Sequence, residues 1–483
     1  MSTKIKNRDK DRVVILGAGP AGLAAGLTLS RQGVKPTIIE RLSLVGGVSR
    51  TIVTQGFRFD LGAHRWFTKD QILDTFVHQL LTDEITKCPR SSHIYFNGKH
   101  VRYPLNITDI LKNVGLLNCA AAVTSSVSTE VRNLFVPSPI VSMKDAYTAQ
   151  FGPVLYRTFF QRYSEKLWGL SCDELSGDWV SQRSKGMSIW QTIKAALRKS
   201  DITSLIEEFE YPRLGIGRMS ERMQEEIVKH GGEILLKHEV VGFVTKDNRI
   251  DAIRLKHEDT FLRVEVDHVL SSLPLPTMAT WLGGSQNKDV EEATRQLHFR
   301  GLIFVAILID KPQTTEDSWI YLQDFRLLST RLHAPANFSK AMAPEGKSSL
   351  VFEIAASEND HMWQLTDAQL TKIVVSDLVN ILEYVNADEI IGSKVVREPH
   401  AYPVYRVGYR KHLEKVNGFL SRCTNLTMIG RNGMYRYNNI DHSLESGIKA
   451  AENLLGAHHD LSIINTGKEY QEIKERTYEI TKK

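Results

Sequence analysis

The chain has 483 residues, 42% of them hydrophobic and 24% charged, with a formal net charge of +5. That length exceeds what one hydrophobic core supports, so two or three domains are expected, with enough interior to bury a cofactor whole. Scattered Lys and Arg exclude a nucleic-acid-binding stripe, no stretch approaches the roughly 20 apolar residues of a membrane-spanning helix, and the cysteines Cys88, Cys119, Cys172 and Cys423 form no CxxC pair or His-linked metal set.

The polar start MSTKIKNRDKDR lacks the apolar core of a secretory signal, so a soluble, cytoplasmic protein is expected. Val13 to Leu16 reads as a buried strand, Ala21 to Gln32 as a small-residue helix and Pro36 to Glu40 as a second strand, which together open a βαβ unit. From Leu80 to Thr203 the pattern switches to helical segments, Ile107 to Leu117, Met143 to Phe151 and Pro153 to Leu167 among them. Alternation returns in Gly231 to His257, with Asp247 and Asn248 as turn residues, and further strands are predicted at Gly301 to Asp310 and Lys347 to Ala355. A helix over Thr366 to Tyr384, a last strand at Leu426 to Gly430, a helix over about His442 to Leu455 and a solvated tail helix complete the series.

The stretch Gly17-Ala18-Gly19-Pro20-Ala21-Gly22 is a GxGxxG turn with a strand before it and a helix after it, the context a dinucleotide site requires. Gly17 permits the turn, Gly19 lets the backbone approach a pyrophosphate, and Gly22 lets the helix pack on the strand. Glu40, ending the next strand, is placed to accept hydrogen bonds from a ribose. On this motif alone the cofactor is a nicotinamide or a flavin dinucleotide, and a structural turn is the alternative.

The next stretches, Gly46-Gly47-Val48-Ser49-Arg50 and GFRFDLGAH, resemble FAD proteins of the amine oxidase and UDP-galactopyranose mutase superfamily. The resemblance implies FAD, with Gly46, Gly47 and Val48 at the diphosphate and His64 against the isoalloxazine, and it adds Arg41 and Val240 to the FAD-binding set. Read on its own, His64 beside Arg65 and Trp66 is a hydrogen-bonded structural residue. The closing segment MIGRNGMYRYNNIDHSLESGIKAAENLL resembles the last FAD motif of the superfamily, which implies Gly430, Arg431 and Asn438 beside the cofactor and a helix N-terminus directed at the flavin's pyrimidine end.

The stretch FFQRYSEKLWGLSCDEL is similar to the Y-T-E-K-x-W-G segment of UDP-galactopyranose mutases, and GAHRWFTKD, FNGKHVRYPLNI and AYPVYRVGYRKHLEKV align in order with other mutase segments. That resemblance implies Trp168 packed on a nucleotide base, Arg183 and Arg331 on a diphosphate, and Tyr163, Asn337, Tyr402, Tyr437 and Asn438 lining the substrate. His64, Arg183, Arg331, Tyr402 and Tyr437 form the implied catalytic set. By spacing alone, Tyr163 and Trp168 read as core, and Arg183 as a surface charge. The chain departs from the mutases at Tyr437-Asn438-Asn439, where a second phenol is replaced by an amide, and at His333-Ala334-Pro335, where mutases carry a more charged run.

The resulting expectation is an α/β fold: a Rossmann-type FAD-binding domain of the GR2 type from 1–90, 212–300 and 415–460, a helical insertion over 91–211, a substrate-binding sheet domain over 301–414 and a tail helix over 461–483. The activity implied is isomerisation of a nucleotide sugar through N5 of a reduced flavin, with NAD(P)H as the reductant. The alternative is a hydride-transferring oxidoreductase resembling protoporphyrinogen oxidases or carotene desaturases, whose scaffold shares the stretch Tyr211 to Ile234. No metal and no nucleic acid is expected.

Overall fold

The β-branched run Val13–Leu16, buried at every position, is the central strand of a five-stranded parallel sheet in a computed structural model that describes residues 11–103, 124–125, 139–183 and 208–466. Its neighbours are Thr37–Ile39 on one side and His268–Ser271 on the other, with Glu233–Leu235 and Leu426–Met428 at the edges. Strands from three distant parts of the chain thus make one sheet, as a discontinuous dinucleotide-binding domain requires. Pro20 opens the first helix, Pro20–Arg31, at a position where its missing N–H costs nothing. Small residues on that helix admit the closing helix, Ile440–Leu455, so closely that a Cβ on Gly447 would lie 2.0 Å from the Ala21 carbonyl oxygen.

A second, seven-stranded sheet runs in the order Ile390–Pro403, Phe299–Ile309, Ser348–Ala355, Arg331–His333, Trp319–Leu322, Ser92–Phe96, Lys99–Arg102. All its pairings are antiparallel except that between Trp319–Leu322 and Ser92–Phe96. The helix Asp367–Asn380 covers one face through Leu370, Val374 and Leu378, and the other face packs Leu302, Phe304 and Val351 against Phe59 and Leu61 of the dinucleotide domain. A three-stranded antiparallel sheet, Glu239–Lys246, Arg249–His257 and Thr260–Glu265, turns at Asp247 and Asn248, both at positive φ.

Two strands of the large sheet, Ser92–Phe96 and Lys99–Arg102, lie inside the segment expected to be a helical insertion. They are joined by Asn97-Gly98, both at positive φ, the signature of a tight hairpin turn. The segment's ends are tied by pairing of Ile85–Pro89 with Glu208–Pro212. Between them, the helix Met143–Leu155 breaks at Gly152 (φ 78°) and Pro153, passes through a π-turn at Tyr156–Phe160, and resumes as Gln161–Trp168. The predicted helix at 107–117 and the tail from 467 onward lie outside the described residues, and Leu461–Ile463 is a single 3₁₀ turn.

Candidate active site and cofactor cradle

Three glycine-bearing segments converge on the start of the first helix. Gly17 holds φ +95°, and a Cβ there would meet the Ser272 hydroxyl at 2.3 Å, while one on Gly22 would lie 1.9 Å from the Gly17 carbonyl oxygen. The second turn, with Gly46 at φ +108° and Gly47 at φ +54°, donates the Gly46 N–H to the Ala18 carbonyl at 2.8 Å, and a Cβ on Gly47 would lie 3.3 Å from Cα of Gly19. The third, Gly430 at φ +72°, donates its N–H to the Ser446 hydroxyl, and a Cβ there would press on Ala21. Only residues without side chains allow these backbones so near each other, and the helix N-terminus within them favours an anion.

Glu40 is fixed by the backbone, its carboxylate accepting from the N–H groups of Ala18 and Leu42, both at 2.9 Å. Arg41 is exposed beyond it, and Val48 sits in the 3₁₀ turn Gly47–Ser49. Val240 follows a segment bound to Glu40 through the His238 N–H and packs among Val14, Leu16 and Ile39. Arg50 carries no role in the sequence reading, yet its guanidinium Nη1 donates both to the Gly47 carbonyl (2.6 Å) and to Glu398 of the large sheet (2.7 Å). The signal was there: an arginine three residues after a glycine pair.

Beyond the cradle, the Gly62-Ala63-His64 turn presents His64, whose Nε2–H donates to the Leu61 carbonyl at 3.0 Å. Burial, with help from Arg431 and Arg331, pushes the imidazole down to about 3. His64 is therefore neutral, with Nδ1 as its acceptor. Arg331 makes a bidentate pair with Glu353, Nε to Oε1 and Nη2 to Oε2, each 2.8 Å. Burial works against the Glu353 carboxylate, but the Arg331 guanidinium outweighs it and holds the group at about 2. Arg431 is held by main-chain carbonyls, Nε on Asn438 (2.8 Å) and Nη1 on Ala401 (2.9 Å), and lies 5.0 Å from the Tyr437 ring centre and 5.7 Å from that of Tyr402. Burial and the neighbouring Tyr437 raise the Tyr402 phenol to about 12, so it stays protonated as a donor. Tyr163, also raised by burial, lies edge-on to Tyr321.

The structure thus brings His64, Arg331, Arg431, Tyr163, Tyr402 and Tyr437 together, and it buries or engages within the protein three side chains expected at a ligand. Trp168 is only 3% exposed, set edge-on to Trp179 and Tyr402, so it fills the core and offers no open face to a base. Asn337 spends its amide N–H groups on the carbonyls of Thr315 and Asp317. Asn438 is fully buried, its amide nitrogen 3.7 Å from Met434 sulfur, and serves through its carbonyl to Arg431. Arg183 ends the short helix Asp178–Arg183, with its side chain outside the described residues.

Sequence reading also missed Glu353 and Asp60. Asp60 interrupts the apolar run FRFDLG and is buried, accepting from the Thr51 and Tyr211 hydroxyls and the Ile216 N–H. It anchors the Gly215–Gly217 turn. Among the described residues, Asp74, His78 and Glu210 are grouped closely enough to hold a metal ion, but they form a surface ion-pair cluster.

A parallel sheet whose first turn, second glycine turn and closing helix share one cradle defines a dinucleotide-binding α/β protein. Residues 20–455 match the family model for flavin containing amine oxidoreductases, and the chain belongs to that family. It is a flavoenzyme, and the family implies FAD. The residues fit that group: Gly17, Gly19, Gly22, Gly46, Gly47 and Gly430 leave the space that a Cβ would fill, and Glu40 is oriented as a ribose acceptor.

The chain is 22% identical to a probable UDP-galactopyranose mutase of Klebsiella pneumoniae over 457 residues, 92% of this chain and 95% of that protein. It is 43% identical to a neurosporene-forming phytoene desaturase of Cereibacter sphaeroides, over 54 residues that make up 11% of this chain and 10% of the desaturase. A solved structure of reduced UDP-galactopyranose mutase superposes with a TM-score of 0.80 at 21% identity, covering 95% of this chain and 98% of that one. A putative protoporphyrinogen oxidase from Exiguobacterium sp. 255-15 superposes at 0.67 with 17% identity, covering 93% and 99%. At these identities the likeness shows the fold. No helix among the described residues is long and apolar enough to cross a membrane.

Proposed function

We propose that the protein isomerises the ring of a nucleotide-activated sugar, using FAD kept reduced by NAD(P)H. The observation that carries this reading is a pair of guanidinium groups, Arg331 and Arg431, each locked by its own acceptors around His64 and the phenols of Tyr402 and Tyr437. A recess with two fixed cations, the protonated Tyr402 phenol and the neighbouring Tyr437 suits a sugar linked to a diphosphate, and it repels the cationic amine that an amine oxidase takes. The mutase likeness over nearly the whole chain supports the same reading.

When bound, reduced FAD supplies a nucleophilic nitrogen for ring opening and closure without net redox change. The chain's own groups position and neutralise. Arg331 offers Nη1 to a phosphate oxygen, since Nε and Nη2 are taken by Glu353. Tyr402 and Tyr437 donate to phosphate or sugar oxygens, and neutral His64 holds an acceptor at Nδ1.

Hydride transfer to oxidised FAD is the second reading, favoured by the burial of Trp168 and Asn438, which leaves no open indole for a nucleotide base. Dithionite-reduced protein incubated with UDP-, dTDP- and GDP-sugars is expected to interconvert ring forms, read by anion-exchange chromatography. Hydrogen peroxide release or acceptor reduction by oxidised enzyme, with no nucleotide sugar turned over, would overturn the isomerase reading.

A further inference from the structure

His333 is 2% exposed, and neither ring nitrogen has a hydrogen-bond partner among the described residues. An apolar side chain would fill that space without leaving two polar atoms dry. The imidazole lies two residues after Arg331 on the strand Arg331–His333 and so shares its face, while Glu353 sits directly opposite Arg331 on the next strand. That places the Glu353 carboxylate between the two, with His333 Nδ1 3.6 Å from Oε1, the oxygen that also accepts from Arg331 Nε.

A second buried carboxylate, Asp60, feels the same imidazole, but it is already supplied by Thr51, Tyr211 and Ile216. Among the described residues, the Glu353 carboxylate has no donor but Arg331 within hydrogen-bond distance. We infer that His333 is a positioning residue for Arg331, acting through Glu353: its Nδ1–H faces Oε1 and holds the carboxylate in the plane that keeps the guanidinium aimed at the substrate recess. The inference deepens the proposed function and rests on it only in the choice of a diphosphate probe.

The test uses FAD-loaded protein. In a double-mutant cycle read by urea denaturation, His333→Leu and Glu353→Gln are expected to be non-additive by about tenfold in the folded-to-unfolded ratio. Should Glu353→Gln not fold, the Arg331→Met/Glu353→Gln pair replaces it as the background. Calorimetric titration with inorganic pyrophosphate is expected to show binding weakened about tenfold by His333→Leu. His333→Asn, whose amide nitrogen stands near the Nδ1 position, is expected to restore it to within about threefold; these are changes of the size that coupled neighbouring residues give. Additive stabilities, or pyrophosphate affinity equal in all variants despite coupling, would overturn the inference. Wild-type protein that ignores pyrophosphate would count against the diphosphate reading, and the denaturation cycle would still decide whether His333 acts on Glu353.

Discussion

Arg331 and Glu353 show why a single substitution at this site misleads. Alanine at Arg331 removes the proposed phosphate ligand, but it also strands a buried carboxylate that the guanidinium does most to hold ionised, with His333 contributing. Breaking a buried pair from one side costs about 3–5 kcal/mol, whereas replacing both partners with neutral groups of similar volume costs far less. Arg331→Ala is therefore expected to lower the urea midpoint sharply, and Arg331→Met with Glu353→Gln to restore most of it while still failing to bind a nucleotide sugar. The contrast separates folding from binding. His64 gives a pH test at the same scale. Its imidazole falls from the ordinary value near 6.5 to about 3 in the folded protein, so between those values the unfolded chain binds a proton that the folded one does not. His64's contribution is thus complete above pH 6.5 and is lost as pH falls towards 3, with a slope of up to about 1.4 kcal/mol per pH unit. His64→Asn is expected to flatten that acid limb in denaturation curves taken at a series of pH values.

At the scale of elements, what was legible in the sequence had a local cause. The Val13–Leu16 strand, the glycine turn and the following helix are set by residues adjacent in the chain, and their predicted limits differ from the observed ones by about a residue. Asn97-Gly98 was equally local, but it lay in a stretch dominated by helical periodicity, and its hairpin was passed over. Partners set by tertiary packing were not legible at all. Nothing near Trp168 announces that Trp179 and Tyr402 enclose it, and nothing near Arg331 points to Glu353, which is brought opposite it by strand register. The closing helix combines both kinds of information, because its glycine is visible in the sequence while the carbonyl it clears is not. Gly447→Ala would place a methyl 2.0 Å from the Ala21 carbonyl oxygen, so the two helices must part at the cradle itself. The expected result is protein purified with little flavin, measured as the absorbance ratio of flavin to protein, with helix content by circular dichroism largely kept.

At the scale of the whole molecule, the Arg50–Glu398 ion pair ties the Gly46-Gly47 turn of the dinucleotide domain to the seven-stranded sheet. The side chains are 8% and 14% exposed, so the pair is shielded from salt and dry enough for its geometry to matter. The strand bearing Glu398 also carries Tyr402, and its register shifts between the pairs Leu302–Glu398 and Arg300–Tyr402. One ion pair therefore links the Gly46-Gly47 turn to the strand that carries Tyr402. Glu398→Ala leaves Arg50 charged, buried and bonded to the Gly47 carbonyl alone, and two losses are expected together: a lower melting temperature and weaker FAD retention. Added FAD stabilises only the folded, binding-competent protein, so excess cofactor is expected to recover part of the lost melting temperature. Glu398→Gln, which keeps an acceptor for Nη1, is expected to fall between the two. A melting temperature lowered without any change in FAD affinity would mean that the sheets are joined independently of the cofactor turn, and the link between Arg50 and Gly47 would then carry no function.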